Sequence, residues 1–242
     1  MKTILLNTRP TSEASQTKSL FLKHNIDCHS VPVYELTEKN EWTSTLPDVH
    51  HIQGLFFSSK NGFDLFFNQL SFSPPLYEQW AKKPIYTLSK AVVQHAESRH
   101  LTVQFSSQQK SIQGFLSECP SFKDQHWLHP CSQLTKLNPI DFTAHHINIT
   151  NLPIYQPQPN QKEKEHLVQE LKQVKGILFF SGSAVSCFLS LLNHQLDGLQ
   201  GLKIFSIGLS SAEKLLENGI TTFYQTSLDE DWVHHITQLL QE

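Results

Sequence analysis

Short apolar runs alternate along the chain with longer stretches in which apolar residues recur every third or fourth position. This alternation predicts strands and helices in turn. Residues 3–8 read as a strand, with Thr11 or Ser12 as cap of a helix that runs to about Asn25. Residues 27–33 read as extended again. Gly54-Leu55-Phe56-Phe57-Ser58 is a continuous apolar run of the kind buried on both faces, and a helix follows over 60–69. Residues 85–88, 102–105, 127–130, 147–155, 176–180, 203–207 and 221–224 predict further strands. Helices are predicted to end near Arg99 and to cover 161–172, 183–192 and 228–240. Ser210-Ser211-Ala212-Glu213 reads as a capping box, and Gly219 as the stop of that helix. Strict β–α alternation implies parallel sheets covered by helices.

The pattern also repeats. Val31-Pro32-Val33-Tyr34-Glu35 matches Leu152-Pro153-Ile154-Tyr155-Gln156, 121 positions later. Gly54-Leu55-Phe56-Phe57-Ser58 matches Gly176-Ile177-Leu178-Phe179-Phe180-Ser181, and each opens a helix. Pro84-Ile85-Tyr86-Thr87-Leu88-Ser89-Lys90-Ala91 lies over Phe205-Ser206-Ile207-Gly208-Leu209-Ser210-Ser211-Ala212, again offset by 121. Three blocks in one order predict a duplication and two similar α/β lobes. After each Pro-x-Tyr the chain turns polar, so it is expected to cross between lobes twice, leaving one lobe discontinuous. The expected division is 1–34 with 161–242 for the first lobe and 41–152 for the second. Residues 35–40 and 153–160 are the linkers.

Composition narrows the chemistry. The chain has 242 residues, with 19 Lys+Arg against 22 Asp+Glu and a formal net charge of −3. That balance argues against a partner such as nucleic acid. The only arginines are Arg9 and Arg99, so a multi-arginine carboxylate or phosphate fork is excluded. Any anion site must rest on backbone N–H groups, hydroxyls or lysines. Cys28, Cys119, Cys131 and Cys187 are widely spaced and expected as free thiols. The fourteen histidines are expected at the surface, because no HExxH or other metal-ligating spacing occurs. Neither GxGxxG nor a Walker motif is present. The chain start lacks a signal-like apolar region, and the most apolar stretch, 176–192, is broken by Ser181-Gly182-Ser183. A cytoplasmic protein with no membrane association is therefore expected, and a monomer is expected beside it.

The strand-to-helix turns carry hydroxyls: Ser58-Ser59, Ser181-Gly182-Ser183 and Gly208-Leu209-Ser210-Ser211. Free N–H groups at helix starts favour anions, and such turns line the ligand crevice of open parallel sheets. Simple N-capping explains any one of these turns. Three at corresponding places favour a shared anionic ligand held by Ser181, Ser183, Ser210 and Ser211 facing an interlobe cleft. Tyr34 and Tyr155 stand where strands leave a lobe. Each either packs there or offers a phenol as proton donor.

Over nearly its full length the chain resembles uroporphyrinogen-III synthase. The matching pieces are Thr8-Arg9-Pro10, Phe57-Ser58-Ser59-Lys60-Asn61-Gly62, Leu152-Pro153-Ile154-Tyr155, Phe180-Ser181-Gly182-Ser183-Ala184-Val185 and Ser206-Ile207-Gly208-Leu209-Ser210-Ser211-Ala212. The resemblance implies two doubly wound, flavodoxin-like lobes joined by a two-stranded linker. It implies closure of hydroxymethylbilane, a linear tetrapyrrole with eight carboxylates, to uroporphyrinogen III. Water is lost and the last ring is inverted through a spiro intermediate. No cofactor or metal is implied. The implied partner is the substrate, with a transient contact to the enzyme that makes it. Carried over by motif, Tyr155 is the proton donor. Thr8, Arg9, Ser58, Ser59, Asn61, Ser181, Gly182, Ser183, Gly208, Ser210 and Ser211 bind substrate. The chain departs from the family pattern at Thr87, where a glycine is usual, and at Lys90, where a hydroxyl is usual. Lys90 is then expected to meet a carboxylate as a cation. The stretch Leu128-His129-Pro130-Cys131-Ser132-Gln133 also lacks the usual glycine and arginine. The alternative reading is a non-catalytic, two-lobed binder of a small anion or tetrapyrrole.

Overall fold

The computed structural model describes residues 4–39, 41–109, 111–120, 122–135, 137–227 and 231–241. The expected strand start at Thr3 and helix start at Leu228 lie outside them, as do the side chains of Thr11 and Ser12. In chain order the strands are β1 (Ile4–Asn7), β2 (Asp27–Ser30), β3 (Tyr34–Glu38), β4 (Gly54–Phe57), β5 (Ile85–Thr87), β6 (Val103–Ser106), β7 (Gln125–Ser132), β8 (Ile147–Pro159), β9 (Gly176–Phe179), β10 (Lys203–Ile207) and β11 (Tyr224–Thr226). The helices are α1 (Thr11–Leu22), α2 (Lys60–Leu70), α3 (Pro74–Ala81), α4 (Lys90–Ser98), α5 (Ile112–Glu118), α6 (Ile140–Thr143), α7 (Lys164–Glu170), α8 (Gly182–Leu191), α9 (Leu209–Glu217) and α10 (Trp232–Gln241). Among the described residues no helix is long and apolar enough to cross a membrane.

The chain forms two compact units. One combines Met1–Leu36 with Pro157–Glu242, and the other is Thr37–Gln156. The segments read as polar linkers are strands. β3 forms despite its charges because an edge strand needs only one apolar face, and β8 continues through Pro157 and Pro159. β3 neighbours β8 in the sheet.

The discontinuous unit carries a sheet in the order β11-β10-β9-β1-β2, and every pair in it is parallel. Counted within the unit this is the 2-1-3-4-5 order of flavodoxin-like folds, with its switch point at β1 and β9. Period-two alternation builds two cores from the same strands. Leu6, Ile177, Phe179 and Ile204 face one apolar cluster. Leu5, Leu178, Phe205 and Ile207 face the other, which α10 closes with Trp232, Val233, Ile236 and Leu240.

The continuous unit has the order β3-β8-β7-β4-β5-β6. β4 lies beside β7 and β5, with β6 outermost, and the four pairs that join β4 to β8 are parallel. If β4, β5 and β6 are matched to β9, β10 and β11, then β7 and β8 match β1 and β2. The two units are therefore the same fold, circularly permuted. Its cores are strongly aromatic. Tyr86 stacks on Trp127 at 4.0 Å, and Phe57, Phe63, Phe66 and Phe67 interlock on the α2 side. Gly54 permits the first contact, since a Cβ there would lie 2.7 Å from the Tyr86 ring.

Sheet register corrects one part of the repeat. Phe57 pairs with Thr87, and its counterpart Phe179 pairs with Ser206. Thr87 therefore corresponds to Ser206, Ser89 to Gly208 and Lys90 to Leu209. The sequence overlay was two residues out, because the βα turns share a pattern of small and hydroxyl residues that slides easily. Ser89 stands at the glycine position, where it is extended and needs no left-handed backbone.

Candidate active site

At the switch point of the discontinuous unit, β1 ends in Asn7-Thr8-Arg9 and β9 in Phe180-Ser181. A cavity of about 110 Å³ opens there, lined by Thr8, Arg9, Tyr34, Phe180, Ser181 and Ala184. The Arg9 guanidinium lies over the Phe180 ring, 3.9 Å from its centre, and Nη1 approaches Thr17 Oγ1 at 3.4 Å. The stacked guanidinium places a fixed positive charge at the cavity. Thr8 is fully buried and its hydroxyl donates to the Leu178 carbonyl at 2.7 Å, so it braces the two central strands.

Ser181 caps α8 by accepting from the Ala184 N–H at 3.2 Å. The first turn of α8 lies against that of α9. A Cβ on Gly182 would fall 2.8 Å from the Ser210 carbonyl oxygen and 3.0 Å from its Oγ. Gly208 enters α9 at φ 82° and ψ 172°, a conformation open essentially to glycine alone. Two helix starts thus converge, with Ser183 half-buried and Ser210 exposed beside them. Convergent N–H groups and positive dipole ends suit carboxylates.

Two expectations fail here. The capping box is absent, because α9 begins at Leu209 and Gly208 is its cap residue. Ser211 does not present its hydroxyl outward. It is fully buried, bonds Ser206 Oγ at 2.8 Å and donates towards the Ile207 and Gly208 carbonyls. Ser211 therefore holds the turn that shapes the site.

The continuous unit has the corresponding turn between β4 and α2. Ser59 caps α2, accepting from the Gly62 N–H at 3.3 Å, and its Oγ lies 3.2 Å from the Tyr155 hydroxyl. Tyr155 reaches it from β8 and is only 6% exposed. Burial raises its pKa, against a smaller lowering by the Ser59 hydrogen bond, so the phenol stays protonated well above neutral pH. Gly62 lets α2 approach β7, since a Cβ would sit 2.6 Å from the Pro130 carbonyl oxygen. Asn61 is half-buried in the same turn, and Lys90 is exposed at the start of α4.

One group in this turn has no counterpart in the expectations. His129 was expected at the surface, yet on β7 it is fully buried. Its Nε2 lies 2.9 Å from Ser58 Oγ and its Nδ1 2.9 Å from Asn151 Oδ1. Burial pushes its pKa down to about 4 from 6.5, so the ring is neutral. A depressed histidine pKa means the unfolded chain binds more protons in this window. Stability is therefore lost as pH falls from about 6.5 towards 4. Between pH 7 and pH 5 the expected loss from this group is about 2 kcal/mol. Urea melts of wild type and His129→Gln at both pH values would read it as a smaller pH effect in the variant. Equal pH effects in the two proteins would refute it.

The four cysteines are free, and burial raises the thiol pKa values to about 12 for Cys28 and Cys119 and about 11 for Cys131 and Cys187. They remain protonated and unreactive at neutral pH. Among the described residues no cluster of His, Cys, Asp or Glu is arranged to hold a metal ion.

No curated protein matches the sequence. Among solved structures, a selenomethionine mutant of uroporphyrinogen III synthase from Thermus thermophilus aligns with a TM-score of 0.62 at 13% identity. That alignment covers 99% of this chain and 97% of the other. The wild-type protein from the same organism, in another crystal form, gives 0.49 at 14% identity over 99% and 98%. The first alignment establishes a shared fold. The family model described as Uroporphyrinogen-III synthase HemD matches residues 15–227. That span takes in the continuous unit, most of the discontinuous one and every turn described above except Thr8-Arg9, and the chain belongs to the uroporphyrinogen-III synthase family.

Proposed function

We propose that the protein closes hydroxymethylbilane to uroporphyrinogen III with loss of water, inverting the last ring through a spiro intermediate. Family membership supports a lyase-type role. The observation that carries the mechanism is the Tyr155–Ser59 pair at 3.2 Å. Ser59 already accepts from the α2 backbone. Whichever hydroxyl donates to the other, the pair keeps one further proton to give. That proton goes to the departing hydroxyl as the C–O bond breaks, and the electron pair leaves with the water. The resulting azafulvene cation is attacked by the substituted carbon of the last ring, giving the spiro centre. The bond from the spiro carbon to its original methylene then breaks, the freed methylene bonds to the unsubstituted carbon of the same ring, and loss of the proton on that carbon completes the macrocycle and restores the phenol. The cation is stabilised by its own nitrogen, so a weak acid suffices and orientation of the chain is the harder task.

Substrate carboxylates are assigned to the α8 and α9 starts (Ser181, Gly182, Ser183, Gly208, Ser210), to Arg9, and to Asn61 and Lys90, while Ser59 binds the departing hydroxyl together with Tyr155. Thr8 and Ser211 support these turns from within. The reading includes a monomer in the cytoplasm, meeting the enzyme that supplies its unstable substrate only transiently. Hydroxymethylbilane closes unaided to the type I isomer. An isomer-resolved assay is therefore expected to show type III product in the presence of the protein. Type I alone, with the bilane bound, would make it the non-catalytic binder instead.

A further inference from the structure

The polarity of the Ser58 hydroxyl is fixed by a chain of hydrogen bonds behind it. Asn151 Nδ2 lies 3.2 Å from the Leu137 carbonyl oxygen. A carbonyl only accepts, so the amide NH₂ faces it and Oδ1 faces His129. Oδ1 also only accepts, so His129 Nδ1 carries the hydrogen of the neutral ring. Nε2 is then bare, and the Ser58 O–H, 2.9 Å away, must donate to it. Every bond runs in one direction, from Ser58 to His129 to Asn151 to Leu137. A chain so aligned polarises its members and makes the first oxygen a better acceptor.

Among the described residues of the other unit, the hydrogen bond at the equivalent place runs from Asn7 Nδ2 to Ser30 Oγ at 3.4 Å, and no histidine takes part. Register places Asn7 where His129 stands and Ser30 where Asn151 stands. Phe180, beneath Arg9, occupies the position of Ser58. The two units therefore offer opposite chemistry at equivalent points: a guanidinium in one and, in the other, a hydroxyl whose hydrogen is already engaged.

We infer that Ser58 is an obligate hydrogen-bond acceptor that takes a pyrrole N–H of the tetrapyrrole, with His129 and Asn151 as positioning residues. This sharpens the expectation that Ser58 binds substrate, and it excludes a carboxylate there, since lone pairs facing a carboxylate repel it. The inference rests on the proposed substrate. The linear tetrapyrrole carries two kinds of group to recognise, carboxylates and ring N–H donors. Only the second fits Ser58, which is half-buried and so within a ligand's reach.

Two measurements test it. In the unliganded protein at pH 7, ¹⁵N NMR of the side-chain nitrogens is expected to show His129 protonated at Nδ1 and bare at Nε2. The opposite tautomer, or an imidazolium, overturns the polarity. The second uses an unreactive bilane with methyl in place of hydroxymethyl, and four versions of it N-methylated on one ring each. Ser58→Ala should weaken binding of the parent bilane about fivefold to tenfold, as for one lost hydrogen bond. Ser58→Thr, which keeps the hydroxyl, should restore it. N-methylation of one ring should cost wild type the same factor and Ser58→Ala nothing. His129→Leu should abolish that coupling. If the two effects multiply for all four rings while type III activity is normal, this inference alone falls. If the parent bilane binds no form of the protein, the pyrrole assignment falls with the proposed function.

Discussion

Gly182→Val is expected to abolish type III formation while leaving the continuous unit intact. The first atom of any side chain at this position meets the Ser210 backbone at 2.8 Å, and a backbone carbonyl cannot rotate out of the way as a side chain can. The starts of α8 and α9 must separate. Overpacking of this kind costs about 1–3 kcal/mol. The loss of activity should be much larger, more than a hundredfold, because two sets of N–H groups stop converging on one anion. Urea unfolding beside the isomer-resolved assay separates the two effects. Gly182→Ala should show both in milder form. Full activity in the valine variant would mean that the two helix starts do not act together.

Tyr155→Phe is expected to lower type III formation about tenfold to a hundredfold. General acid catalysis is typically worth about 10²–10⁴, and the departing hydroxyl here needs less help. Phenylalanine keeps the ring packed in its buried place and removes only the hydroxyl. It leaves Ser59 with one hydrogen-bond partner fewer. Ser59→Ala should cost a similar factor, and the double variant little more than either single one, because the two hydroxyls act together as one donor. Tyr34→Phe, at the equivalent position of the other unit, should be nearly silent. A folded Tyr155→Phe with full type III activity would make Tyr155 a packing residue and move the proton source elsewhere.

Sequence reading succeeded where local chemistry decides structure. Gly54-Leu55-Phe56-Phe57 and Gly176-Ile177-Leu178-Phe179 are apolar throughout because helices cover both faces of their sheets, and they form β4 and β9 as expected. Gly219 does end α9, at φ 77°. The failures share a cause, namely partners distant in sequence. β3 looks polar because its support comes from β8, more than a hundred residues on. α3 is missing from the expected elements, and it begins with Pro74 and Pro75, which are well placed in a first helical turn. A histidine in a strand gives no sign of burial, and only β8 supplies the asparagine that makes His129 tolerable. Ser211 shows the limit from the other side. A hydroxyl at a helix start reads as a ligand contact, and the carbonyls that claim it come from its own turn.

The circular permutation also sets an order of assembly during synthesis. β1 and β2 leave the ribosome before the rest of their sheet, yet β1 gains its other neighbour, β9, only when residues 176–179 appear. At about 5–20 residues per second, the intervening chain takes roughly seven to thirty seconds to make. The segment Thr37–Gln156 is complete within that interval and holds all of its own parallel strands. It can close while the first 36 residues still expose the edge of β1 along Leu5, Leu6 and Asn7. Nascent chains of this protein therefore carry an unpaired apolar edge upstream of a finished neighbour, a natural place for a chaperone to hold.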